Sequence, residues 1–129
     1  MKIIVGVDGS KHSIQALEES IKLVKKFTGN ILVITVYTLG NDEEMDKIRQ
    51  DVVKRLDKER VVHKFIGIVG SNPSRALIDL AKEEKCDLIA VGSRGLGSTA
   101  TFFLGSVSKE VVTKAPCNVL VVKTKLVPN

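Results

Sequence analysis

The chain has no tryptophan, a single tyrosine, two cysteines and three prolines in 129 residues. Each shortage excludes something. Aromatics are 4% of the residues and do not alternate with Lys or Arg, so no stacking platform for single-stranded nucleic acid is present. The two cysteines, Cys86 and Cys117, fit no zinc or redox spacing and are expected as reduced, largely buried thiols. No apolar run approaches the roughly 20 residues of a membrane span. The opening Met1-Lys2-Ile3-Ile4-Val5-Gly6-Val7-Asp8 has too short an apolar part for a secretory signal, and no small-residue cleavage site follows. It is read as a first strand, and the expected location is cytoplasmic.

What is present suits one folded unit. A hydrophobic content of 43% and a charged content of 27% are globular proportions. A length of 129 residues holds one core and is short for two, so residues 1–129 are expected to form a single domain. Net charge is +5, but the charges are interleaved, as in Asp42-Glu43-Glu44-Met45-Asp46-Lys47 and Asp57-Lys58-Glu59-Arg60. Solvated helix faces look like this, which argues against a nucleic-acid partner, as the lack of a long apolar run argues against a membrane. The surplus serves better to attract a small anion.

Five Val- and Ile-rich runs alternate with four helical patterns. The runs are Lys2–Asp8, Asn30–Tyr37, Val61–Ile68, Asp87–Gly92 and Asn118–Thr124. They are nearly continuous, as strands covered on both faces should be. The first helix begins after Gly9 with Ser10 as N-cap, carries Ile14, Leu17, Ile21 and Val24 at helical spacing, and is expected to end at Gly29. The second runs from about Asp42 to Asp57. The third opens at Ser71-Asn72-Pro73, a polar cap followed by a proline whose missing N–H costs little there. The fourth follows Gly105 and stops near Ala115-Pro116. Strict alternation predicts an α/β fold, an open parallel five-stranded sheet with helices on both faces. Ligands in such sheets sit beyond the carboxyl ends of the strands, where the winding reverses. With strand order 3-2-1-4-5 the reversal lies between the first and fourth strands. Their ends carry Asp8-Gly9-Ser10 and Gly92-Ser93-Arg94-Gly95, so both motifs would face one crevice.

The second of these motifs continues through Leu96-Gly97 and on to Gly105-Ser106, where the fourth helix begins. A βα turn usually needs one glycine; this connection has four. Glycines between strand and helix let backbone N–H groups converge on an anion, most often phosphate. Ser106 and Ser108 are candidate caps of the fourth helix, and the N–H groups of Ser106 and Val107 candidate phosphate donors. Arg94, between two glycines, reads as a charge partner for phosphate rather than a solvated surface group. Asp8 has two readings: it holds its own turn through the N–H groups of Gly9 and Ser10, or it accepts from ribose hydroxyls or holds a metal-bound water. His12 is placed in the first turn of the first helix, exposed and without a Ser or Cys nucleophile to serve. His63 is read as structural or solvent-facing, and Phe102 and Phe103 as core contacts beneath the loop. G-x-x-x-x-G-K-[ST] is absent, because no Lys follows the glycines to reach β- and γ-phosphates; a full G-x-G-x-x-G is absent too, since Ala100 stands where its last glycine belongs.

The spacing Gly92-x2-Gly95-x9-Gly105-Ser106 resembles the nucleotide-binding signature of the universal stress protein family. The opening Ile3-Ile4-Val5-Gly6-Val7-Asp8-Gly9-Ser10 and the close Ala115-Pro116-Cys117-Asn118-Val119-Leu120-Val121-Val122 are similar to that family as well. The resemblance implies the adenine-nucleotide α-hydrolase-like fold with order 3-2-1-4-5. It implies ATP, or ADP or AMP, with Mg2+ or Mn2+, its phosphates on Gly92, Gly95, Gly105, Ser106 and Val107. Asp8 would lie near the ribose and the Val36 backbone near the adenine. With Val7, Val91 and Arg94 these complete the expected cofactor-binding set; no residue is identified as a metal ligand. The chain departs from many members in its short connection Thr38-Leu39-Gly40-Asn41 after the second strand. A glycine loop retained without a catalytic set favours an ATP-binding stress or signalling module with little or no hydrolysis. The alternatives are a slow ATPase or phosphoryl transferase using the same site, and a dimer that binds nothing. A homodimer is expected through the fifth strand, an apolar sheet edge free of proline.

Overall fold

Apolar side chains at consecutive rather than alternate positions need cover on both faces, and the five runs find it in one parallel sheet. The structure is a computed structural model and describes residues 1–94 and 104–124. In chain order the elements are β1 (Lys2–Gly6), α1 (Lys11–Phe27), β2 (Asn30–Tyr37), α2 (Asp42–Lys58), β3 (Val62–Val69), α3 (Pro73–Glu83), β4 (Leu88–Gly92), α4 (Ser106–Lys114) and β5 (Asn118–Val122). The strand order is β3-β2-β1-β4-β5, every neighbouring pair parallel. Ile4 of β1 lies between Leu32 of β2 and Ile89 of β4. The winding therefore reverses between β1 and β4, and β3 and β5 are the two edges.

Each face of the sheet has its own core. On one, Leu17 and Ile21 of α1 and Val52 and Leu56 of α2 pack on Ile3, Val5, Ile31 and Val33. On the other, Leu77 and Ile78 of α3 and Val111 of α4 pack on Ile4, Leu32, Ile34 and Ile89. Each such side chain stabilises the fold by about 1.5–3 kcal/mol through burial. Arg55 of α2 ties the first pair of helices together, donating to Glu18 of α1 at 2.7 Å and to Asp51 at 3.1 Å. Cys86 is buried and Cys117 only half-buried; burial pushes the Cys86 thiol up to about 11 and raises that of Cys117. Among the described residues no helix is long and apolar enough to cross a membrane.

The helix starts follow their capping residues. Ser10 Oγ accepts from the Ser13 N–H at 3.2 Å, and Asn72 Oδ1 accepts from the Arg75 N–H at 3.1 Å with Pro73 at the first helical position. The end of α1 differs from the sequence expectation. Thr28, not Gly29, takes the left-handed turn, with φ of 59°. Gly29 is required for another reason: a Cβ there would collide with the Met1 carbonyl, which accepts the Asn30 N–H at 3.0 Å to start β2 beside β1.

Candidate functional site

At the carboxyl ends of β1 and β4 the sheet opens into a cleft of about 420 Å³, within the roughly 300–1,000 Å³ typical of small-molecule sites. Val7, Asp8, Val36, Val91, Gly92, Arg94, Gly105, Ser106 and Val107 all line it. These are nine of the ten residues expected from sequence; Gly95, like Phe102 and Phe103, lies outside the described residues. The walls also contain Gly6, Ser13, Ile34, Pro73, Leu77 and Ser108, which the expected set omits. Ile34, Pro73 and Leu77 reach the cleft because α3 packs across the β1–β2 side of the sheet, a tertiary fact with no local signal. Ser13 does carry a signal, three residues past an N-cap serine.

The β1–α1 turn is closed on itself. Asp8 Oδ1 accepts from the Ser10 N–H at 2.9 Å, while the Asp8 N–H donates to Ser13 Oγ at 3.2 Å. The Ser13 hydroxyl donates in turn to the Ser10 carbonyl at 3.0 Å. Gly9, with φ of +86°, supplies the backbone bend that a side chain would strain. From the next strand, Thr35 Oγ1 donates to the Val7 carbonyl at 2.8 Å. The turn-holding reading of Asp8 is thus realised, and the residue still borders the cleft.

The β4–α4 connection is held differently. Its described ends are clamped: the Ser93 N–H donates to the Val122 carbonyl at 2.8 Å, and the Gly105 N–H to the Ser93 carbonyl at 2.7 Å. The Ser108 hydroxyl donates to the Gly92 carbonyl at 2.6 Å, pinning the first turn of α4 to the end of β4. Neither serine caps the helix, contrary to one sequence reading. Gly105 occupies the N-cap, with no side-chain cap bond, and the helix opens with the hydrogen bond from the Lys109 N–H to the Gly105 carbonyl at 3.0 Å. The N–H groups of Ser106 and Val107 precede that bond and stand at the positive end of the helix dipole, with no acidic residue in the first turn. Arg94 lines the same cleft. An anion is the chemical species such a corner accommodates best.

Two further residues are placed differently from expectation. Gly92 is constrained by packing as well as by any ligand: a Cβ on it would lie 2.5–2.7 Å from the carbonyl and Cβ atoms of His12. His12 is half-buried rather than exposed, its Nδ1 2.6 Å from Thr124 Oγ1. His63 is structural, with Nδ1 2.9 Å from the Val61 carbonyl oxygen. Among the described residues no three His, Cys, Asp or Glu side chains are grouped to hold a metal ion, and Asp8 is the one carboxylate lining the cleft. A divalent ion there would rely on the oxygens of a phosphorylated ligand for most of its coordination.

Fold and cleft together define a parallel α/β protein with a cleft at the topological switch point, where ligands of such sheets ordinarily sit. The family model described as Universal stress protein family matches residues 1–123, and the chain belongs to that family. It is similar to a Thermus aquaticus universal stress protein (in QAH/OAS sulfhydrylase 3′ region), 32% identical over 94% of this chain and 97% of that one. It is also similar to Bacillus subtilis universal stress protein YxiE, 29% identical over 95% and 98% of the two chains. Among solved structures, a universal stress protein in complex with cAMP superposes with a TM-score of 0.80 at 30% identity, covering 97% of this chain and 98% of the other. The protein MJ0577 superposes with a TM-score of 0.87 at 26% identity, covering 98% and 97%.

Proposed function

We propose that this chain binds an adenine nucleotide in the cleft between the ends of β1 and β4, and that it works as a nucleotide-responsive stress or signalling module rather than as an efficient hydrolase. The observation that carries this reading is the cleft itself, which joins Asp8, the strand end at Val36 and the start of α4. Phosphate belongs at Ser106 and Val107 beside Arg94, ribose near Asp8, and the adenine near Val36 on the apolar side with Pro73 and Leu77. A relative 30% identical to this chain was solved with cAMP, which supports a nucleotide of this class. Phosphoryl transfer depends on several positioned groups. Asp8, the one carboxylate lining the cleft among the described residues, already accepts from its own turn, which favours binding over turnover.

The assembly we propose is a homodimer through β5. That strand is a sheet edge in the observed order, its Val119, Leu120 and Val121 only half-buried. Antiparallel pairing of two copies satisfies both edges at once. Equilibrium dialysis with AMP, ADP and Mg2+-ATP, run beside a phosphate-release assay, tests the function. Saturable binding with negligible release supports the reading; no binding of any of the three sinks it, and robust release replaces it with the ATPase alternative. Light scattering tests the assembly, and a wild-type protein monomeric at micromolar concentration contradicts the dimer.

A further inference from the structure

We infer that the corner of the molecule where α1 and α2 end, at the amino end of the sheet and away from the cleft, docks an acidic segment of another protein that carries an apolar residue. Helices in this fold run back against the strands, so each ends where the next strand begins. Asn30 of β2 is in register with Val62 of β3, which brings the ends of α1 and α2 together. Lys25 Nζ donates to Glu59 Oε2 at 2.6 Å between them.

Five exposed cations stand at this corner: Lys25 and Lys26 of α1, Lys54 and Lys58 of α2, and Arg60 just beyond α2. The two carboxylates among them, Asp57 and Glu59, are already engaged, Glu59 by Lys25 and Asp57 at 3.7 Å from His63 Nε2. One turn earlier Lys22 is paired with Glu19. Among the described residues Lys26, Lys54, Lys58 and Arg60 have no ion-pair partner. The end of α3 differs. There Lys2, Lys82 and Lys85 stand with Glu83, Glu84 and Asp87 in equal number, and Lys2 pairs with Glu84 at 3.3 Å. The surplus is therefore local to the α1–α2 corner, and part of the net charge of +5 lies there rather than at the cleft.

Lysines in the last turn of a helix answer its dipole, which accounts for Lys25, Lys26 and Lys58 but not for an exposed ring among them. Phe27 is 59% exposed, with Lys26 Nζ 5.8 Å from its ring centre. An acidic peptide can set carboxylates against Lys54, Lys58 and Arg60 and an apolar side chain on Phe27. A phosphate backbone fits less well: Asp57 and Glu59 interrupt the cations, and one ring is no platform for successive bases.

Arg60 allows charge to be separated from fold. The Val61 N–H donates to the Leu56 carbonyl and the Arg60 N–H to the Asp57 carbonyl, each at 3.0 Å, a helix ending whose turning residue is ordinarily glycine. Arg60 holds that place with φ of 56°, a left-handed backbone that glycine adopts more readily. Arg60→Gly therefore removes the cation while suiting the turn.

Fluorescence anisotropy of the full chain with a labelled peptide of repeating Glu-Asp-Leu-Glu tests the inference, beside the same peptide with Ser in place of Leu, a labelled oligothymidylate and phosphatidylserine vesicles. The leucine peptide should bind saturably, more weakly as salt rises, and severalfold more tightly than the serine peptide. Lys58→Glu with Arg60→Glu should weaken it about tenfold or more. Lys82→Glu with Lys85→Glu, at the balanced corner, should cost no more than about twofold. Arg60→Gly should melt no lower than the wild type yet bind the peptide severalfold more weakly. Equal losses in the two double variants, wild-type affinity in Arg60→Gly, or no saturable peptide binding at micromolar chain overturns the inference. Capture of the oligonucleotide or the vesicles in place of the peptide overturns it too, as does a lower mass by light scattering in the Lys58→Glu, Arg60→Glu variant, which would give the surface to a second copy of the chain.

Discussion

The two turns that face each other across the cleft are built from similar residues and behave oppositely. In Asp8-Gly9-Ser10, side chains serve the turn: Asp8 holds the Ser10 N–H, Ser10 holds the Ser13 N–H, and Ser13 closes the loop on both. At the start of α4 the N-cap is a glycine with no side-chain cap bond, and the Ser108 hydroxyl reaches back to the strand instead. The first turn spends its polar groups on rigidity. Among the described residues the second has no such side-chain caps at its helix start, which is why we propose that the α4 N–H groups take the ligand, in a cleft that Arg94 also lines. A serine-rich turn is therefore not an anion site by composition; what matters is where its hydrogen bonds end.

The largest effect expected from breaking this contrast is structural, at Gly92. In Gly92→Ala the added methyl meets the α1 backbone at His12 at 2.5–2.7 Å, and backbone cannot yield as a side-chain end can. Destabilisation toward the upper part of ~1–3 kcal/mol follows, visible as a melting temperature lowered by several degrees. An unchanged melting curve would mean that Gly92 is not a packing glycine. Gly105→Val comes next and should act on binding instead. Gly105 has φ of −66° and ψ of 167°, a conformation any residue adopts, so the fold should survive. The branched side chain blocks close approach to the helix start, and nucleotide affinity should fall about tenfold or more, near 1.4 kcal/mol per tenfold. Wild-type affinity in that variant would remove α4 from the site.

Ser108→Ala is expected to be milder and mixed. It removes the 2.6 Å bond to the Gly92 carbonyl, costing about 1 kcal/mol of stability. The start of α4 is then less firmly placed, so AMP affinity should drop severalfold while adenosine affinity holds; Ser108→Thr should restore it. Equal loss for both ligands would mark the bond as purely structural. Asp8→Ala should have the smallest effect on the ligand, a modest loss of affinity and no change in any phosphate release, because a ribose contact contributes to binding and not to a transition state. Abolition of a robust ATPase by that substitution would favour the enzyme alternative.

Much of this was legible before the structure, for identifiable reasons. Continuous apolar runs located all five strands, and β2 at Asn30–Tyr37 coincides with its run to the residue. The third run was placed one residue early, because Val61 is still engaged by α2 through its N–H bond to the Leu56 carbonyl at 3.0 Å. Local capping chemistry identified Ser10 and the Asn72-Pro73 start. Glycines were harder. Local pattern reads Gly29 as a helix end and Gly92 as part of a ligand loop; Gly92 does line the cleft, and both also face tertiary neighbours, the Met1 carbonyl and the His12 backbone. Such close approaches leave no periodic trace. Pro73 and Leu77 entered the cleft unannounced for the same reason.

Residue-resolved NMR of the 14.0 kDa chain during AMP addition tests the division of labour between the two turns most directly. Saturable amide shifts should be largest at Ser106 and Val107, with Ser10 and Ser13, whose N–H groups are already bonded to Asp8 and Ser10, moving little. Shifts concentrated at Ser10 and Ser13, with Ser106 and Val107 unmoved, would contradict the assignment of the phosphate to α4.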